Sequence, residues 1–226
     1  MANEIVTQGN SLEIQEYRGI RNLVAALLQT DRVITTEGGT QNILTYGAIF
    51  HIAGIAELSV SSESSSAAHY YDNFAAITID AGGADTVSCS CSAIPLDVLA
   101  VLTGQAYDDE THMLIGSTSS AKKPYFAIGY ITEDTDGNEI YVWRNKVKVN
   151  AVPESTHATK DDGTDANGQT LEFTGIDTTI RDSFTGKHFA STLYQATKDG
   201  GRITEEEFFS QVMTPGKVRS AIGITA

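Results

Sequence analysis

Apolar and polar residues alternate most clearly from Pro124 to Pro153, PYFAIGYITEDTDGNEIYVWRNKVKVNAVP. The pattern predicts one long β-hairpin, two runs of about ten residues around a turn at Asp136-Gly137, residues that tolerate the positive φ of a tight turn. Such strands exceed the usual length of about five or six residues. They are therefore expected to extend a sheet beyond the body of the protein, with the acidic tip Glu133–Glu139 in water. In the second run, strict alternation sets Arg144, Lys146 and Lys148 on one face and Trp143, Asn145, Val147 and Val149 on the other.

Elsewhere the pattern is less regular. Val87, Cys89, Cys91 and Ala93 alternate with serines, which predicts a strand carrying two buried free thiols on one face. Phe74–Asp80 and Asp85–Ile94 read as strands joined by an Ala81-Gly82-Gly83-Ala84 turn, and Gln169–Ile176 reads as another strand. Pro95–Leu102 is the clearest short helix, with Pro95 suited to a first helical position and Gly104 placed to end it. A second helix is predicted from Thr204 to Met213, capped by Thr204 with Glu207 in the capping-box position and stopped by Pro215-Gly216. Arg18–Gln29 fits helix or strand equally. Thr35–Thr45 and Ser61–Ala67 read as loops. Residues 1–12 read as a flexible arm, and residues 154–168 as a long acidic loop, in a single domain spanning 1–226.

Composition narrows the function. The chain has 226 residues, 41% of them hydrophobic, and a net charge of −14. That acidity argues against nucleic-acid binding through phosphate contacts and against adhesion to an anionic membrane. No apolar run approaches the roughly 20 residues of a membrane span. The start, MANEIVTQGN, lacks the basic and apolar regions of a signal peptide, so synthesis in a cytoplasm is expected. His51, His69, His112, His157 and His188 show no ligand spacing, and no GxSxG, P-loop or GxGxxG occurs. Asp161, Asp165, Asn167 and Glu172 match four positions of a calcium loop, but Gly163 stands at the third and Ala166 replaces the required glycine. The expectation is a protein without catalytic, cofactor-binding or metal-binding residues.

Several segments together resemble one family. They are Ile52–Val60; Tyr71-Asp72-Asn73 after a serine-rich turn; Ala84–Ala93 running into Pro95–Gly104; Pro124–Tyr130; Asp136-Gly137; Tyr141–Lys148; Gln169–Phe173; and Phe208–Val212. This constellation, covering about Ala48 to Val212, resembles the major tail proteins (tail tube proteins) of long-tailed phages and prophages. The resemblance implies a mainly β fold (α+β): a β-sandwich or partial barrel with a flanking short helix and a long hairpin. It also implies hexameric rings whose sheets close into a shared β-barrel and stack into a tube. Expected partners are further copies of the chain, a tape measure protein and tail tip or terminator proteins. DNA would pass through the lumen during ejection without specific binding, and no membrane is involved. The expected location is the virion tail, assembled in the bacterial host cytoplasm.

On that reading the candidate subunit or ring interface comprises Glu133, Asp134, Asp136, Gly137, Glu139, Arg144, Lys146, Lys148, Asp161, Asp162 and Asp165. The basic stripe would meet acidic loops such as Asp108–Glu110 or Asp161–Asp165 on a neighbouring subunit, and part of the acidity would line the lumen. The alternative is a β-sandwich virion decoration protein or carbohydrate-binding module using Tyr70, Tyr71 and Tyr107.

Overall fold

The structure, a computed structural model, describes residues 16–36, 39–71, 74–116, 122–155 and 168–224. It is mainly β. The first four strands are the longest: β1 (Tyr17–Thr36), β2 (Gly39–His51), β3 (Ile55–Tyr71) and β4 (Phe74–Cys91). They form two antiparallel hairpins, β1–β2 and β3–β4. The helix α1 (Leu96–Thr103) and a small two-stranded sheet, β5 (Ala106–Asp108) with β6 (Met113–Ile115), follow. Then come β7 (Phe126–Asp134), β8 (Glu139–Val149), β9 (Glu154–Ser155), β10 (Gln169–Gly175), β11 (Ser191–Gln195), α2 (Glu205–Phe208) and α3 (Pro215–Ala221).

Nine strands join one antiparallel sheet in the order β2-β1-β7-β8-β10-β4-β3, with β11 paired to β8 and β9 to β10. The sheet curls without closing. Inside the curl, Leu23 and Ala25 of β1 and Phe126 and Ile128 of β7 meet Val87, Cys89 and Cys91 of β4 and Leu171 and Phe173 of β10. Leu99 and Leu102 of α1 join that core, and Gly104, with φ of 70°, ends the helix. Cys89 and Cys91 are buried free thiols, as the alternation indicates. A second core covers the opposite face of β1, β7 and β8. There Val24, Ala127, Ile131, Tyr141 and Trp143 pack under Tyr194, Ile203, Phe208, Val212 and Met213. The buried Trp143 indole donates from Nε1 to the Phe208 carbonyl at 3.1 Å, and Asn145 Nδ2 donates to the Met213 carbonyl at 3.0 Å.

The hairpin around Asp136-Gly137 forms, but it is not the part that extends the sheet. β7 and β8 lie at its centre, β7 between β1 and β8, and their residues are largely buried. The long extensions are β1–β2 and β3–β4. Of Thr35–Thr45 and Ser61–Ala67, expected as loops, every described residue is strand. None of the side chains described there, at 35, 39–45 and 61–64, is buried, so no apolar alternation marks the strands. Arg18–Gln29 is likewise strand.

Gly82-Gly83 is a bulge within the continuous β4, not a turn. Ser62 pairs with Asp85 and Ser64 with Gly82, so three steps of β4 oppose two of β3. A Cβ at Gly83 would stand 2.7 Å from Glu63 Cβ, an approach that only glycine permits. The helix expected over Thr204–Met213 is one turn, Glu205–Phe208, with Thr204 accepting from Glu207 N–H as anticipated. Pro215 begins α3 rather than merely stopping α2, because a proline at a first helical position gives up an N–H that has no intrahelical partner. Pro95, for its part, is the N-cap of α1 and not its first residue.

Candidate functional site

The two ends of the sheet are β2 and β3, and both present unpaired edges among the described residues. They follow one another in sequence through Ile52-Ala53-Gly54. None of the 13 residues of β2 is buried, and none of Ile55–Ser64 of β3 is buried. β2 carries no Asp, Glu, Lys or Arg. The segment Ile55–Cys91 carries Glu57, Glu63, Asp72, Asp80 and Asp85 and no Lys or Arg.

Register gives this hairpin two different faces. Leu58 packs on the core inside the curl, where its partner Cys89 lies. The other face is a hydroxyl surface: Glu57 opposes Ser90, Ser59 opposes Ser88 and Ser61 opposes Thr86. β10 extends it with Thr170, Glu172 and Thr174 opposite the same three residues of β4. Within these three strands the face offers short polar groups and carboxylates, and at its β8 border Lys148 stands opposite Thr174.

The sequence-derived candidates fall into three groups. Asp134 is not a solvated tip residue. It is buried, and its carboxylate accepts from the backbone N–H of Asp136 (3.0 Å) and Asn138 (2.8 Å) and from Asn138 Nδ2 (2.8 Å). These hydrogen bonds, the side-chain bond from Asn138 foremost, hold its pKa below the ordinary carboxylate value. It closes the turn in which Gly137 takes φ of 78°. Asp136 is exposed at the turn. Glu133 pairs with Arg18 at 3.3 Å and Glu139 with Arg21 at 2.6 Å.

The second group is the basic stripe, which does not share one face. Phe126 pairs with Val147 but Ile128 with Arg144, so β8 carries a bulge at Asn145-Lys146. The bulge reverses the alternation: Val147 and Val149 join Phe126 and Ile128 inside the curl, while Trp143 lies in the opposite core. Arg144 therefore stands on a different face from Lys146 and Lys148. Each cation has a partner within the chain. Arg144 Nη1 meets Asp85 at 2.9 Å, Lys146 Nζ meets Asp31 at 2.6 Å, and Lys146 and Lys148 sit 5.5 and 5.6 Å over the Tyr125 ring. The third group, Asp161, Asp162 and Asp165, lies outside the described residues. So do the side chains of Tyr70 and Tyr71; Tyr107 bonds His112 at 3.3 Å through its hydroxyl.

Three residues that sequence reasoning passed over organise these elements. Asp31 accepts from Lys146, from Thr179 N–H (2.9 Å) and from Thr179 Oγ1 (3.0 Å). Burial alone would raise its pKa, but the bonds from Lys146 and Thr179 outweigh it and hold the carboxyl below the usual range. Asp85 joins Arg144 to Ser62, whose hydroxyl donates at 2.5 Å. Arg21 ties β1 to Glu205 at 2.7 Å as well as to Glu139. A buried cation needs an acid nearby, so Lys146 and Arg144 implied such partners, but no sequence spacing identifies which acids they are. Among the described residues no three His, Cys, Asp or Glu side chains converge as metal ligands, and no helix is long and apolar enough to cross a membrane.

The chain matches no known protein-family model, and no curated protein aligns with it.

Proposed function

We propose that this chain is the structural subunit of a phage-type tail tube, joined head to tail through its two sheet edges. One observation carries the reading: the sheet ends on two long strands, β2 and β3, each with one edge unpaired among the described residues. An unpaired edge is a template for another strand. When the β2 edge of one copy takes the β3 edge of the next, the contact is heterologous, and it closes a ring if the rotation closes. The bonds are the same backbone bonds that build the monomer. Closure leaves no edge to recruit further strands.

In such a ring the hydroxyl face of β3, β4 and β10 lines the lumen. Its acids repel a DNA backbone that carries one charge per roughly 1.7 Å of axis, over a range of about 8 Å at physiological salt. The contact between stacked rings is assigned to the turn at Asp136-Gly137 and the acidic loop holding Asp161, Asp162 and Asp165. Negative-stain microscopy of the concentrated protein tests the proposal. Stacked rings of one diameter support it; monomers at every concentration overturn it.

A further inference from the structure

An aromatic side chain stands in water on a well-braced loop. Phe184 is 70% exposed within Arg181–His188, RDSFTGKH. Asp182 holds the loop from inside: it is buried and accepts from the Thr185 N–H and Oγ1, both at 2.9 Å. Gly186, at φ of 67°, donates to the Asp182 carbonyl at 2.9 Å, and Arg181 Nη1 donates to the Gly186 carbonyl at 2.9 Å. A bridge between Arg181 and His188 closes the base. The loop is set before any partner arrives, so docking it costs little ordering.

Its charge is opposite to that of the whole chain. Asp182, its one acid, is turned inward, while Arg181 and Lys187 are exposed. Arg219 of α3 lies over the Phe184 ring at 4.2 Å, and its Nε is buried with no hydrogen-bond partner among the described residues. An exposed aromatic ring thus carries cations beside it in a chain of net charge −14. Aromatic and arginine side chains together are the composition of an interface centre.

The complement is on the same chain. Between α1 and β5 lies a hollow of about 460 Å³, walled by Leu27, Val101, Tyr107 and Pro124 and by the exposed carboxylates of Asp97 and Asp109. Among the described residues no Lys or Arg lines it. α1 rests on the core inside the curl through Leu99 and Leu102, whereas Val218 and Ile222 of α3 pack on the opposite core. The ring and the hollow therefore stand on opposite sides of the sheet, and a chain does not fill its own hollow.

We propose that Phe184 of one copy enters this hollow in a second copy, with Arg219 and Lys187 meeting Asp97 and Asp109. The contact is heterologous, a knob on one subunit and a hollow on the next. It uses neither β2 nor β3, so it stands apart from the edge joint.

Sedimentation velocity of the full-length protein across a concentration series tests it, with melting temperatures confirming that each variant folds. F184A should raise the dissociation constant between copies at least about tenfold, and K187E or D109K alone about fivefold. Mixing K187E with D109K, or joining both changes in one chain, should regain parental association, because each restores opposite charges across the contact. Backbone pairing at strand edges would gain nothing from that exchange. F184A, or both charge variants, associating like the parent overturns the proposal. An exchange that fails to regain what the single variants lose also overturns it, and assigns the knob to an acidic partner other than a second copy.

Discussion

Two acids, Asp31 and Asp85, neutralise two cations of β8 at the roots of the two longest hairpins. The Asp31–Lys146 pair is the more enclosed, with side chains only 5% and 14% exposed. Removing one partner of such a pair leaves an uncompensated charge, so D31N should cost about 2–4 kcal/mol in urea unfolding. Its pH signature has a definite sign. Unfolded Asp titrates near about 3.9, and the folded carboxyl lies lower. The stabilisation is therefore complete above that unfolded value and is lost as pH falls through the folded one. Unfolding measured at stepped pH should show D31N with a flatter decline than the parent below about pH 4. Equal slopes would assign the acid sensitivity to other carboxylates. Gly129 poses a different problem at the same scale. A Cβ there would stand 2.9 Å from Phe209 and 3.0 Å from Trp143, so G129A should cost about 1–3 kcal/mol by overpacking. Because Trp143 is the chain's single tryptophan, its emission should report the displaced ring.

At the scale of elements, the C-terminal segment is held to the sheet by a few buried polar contacts. Asn145, fully buried, donates to the Met213 carbonyl and accepts from Thr192 Oγ1 at 3.0 Å. N145A leaves both partners unsatisfied and should cost about 2–3 kcal/mol. Exchange in Ile203–Ile222 should rise before exchange in β7 and β10; a uniform rise would show that the segment does not open separately. The same residue shows what a sequence can and cannot disclose. The β7–β8 hairpin was legible because alternation and an Asp-Gly turn agree, as was α1, with Gly104 at its end. The bulge at Asn145-Lys146 was not, since one extra residue reverses the faces without changing the run of letters. The long hairpins were hidden for the opposite reason. At 35, 39–45 and 61–64 no side chain is buried to impose a period of two, so strand and loop read alike. The acids that answer Arg144 and Lys146 were unreadable because the register of β1 and β4 places them, not any local spacing.

For the whole molecule, the question is how a chain of net charge −14 associates through its edges at all. Copies repel one another at long range, and that repulsion is screened over about 8 Å at physiological salt. The edges themselves oppose it little, since β2 carries no charged residue and β3 only Glu57 and Glu63. Assembly should therefore strengthen as salt rises from low to physiological concentration, read as the fraction sedimenting as tubes. A lysine on an edge separates charge from pairing. Thr45 and Ser59 are exposed on β2 and β3, so T45K and S59K should leave the monomer's melting temperature within a few degrees. Each reduces the net negative charge and would favour association if repulsion alone governed it. Each also puts a solvated cation where a strand must approach, a device that keeps natural edges from pairing. If the edges form the joint, both variants lower tube yield, and a loss of about 1.4 kcal/mol per contact already means tenfold per joint. S183K, on an exposed turn outside both edge strands, adds the same charge and should assemble at least as well as the parent. If T45K and S59K assemble as readily as S183K, ring closure does not run through β2 and β3.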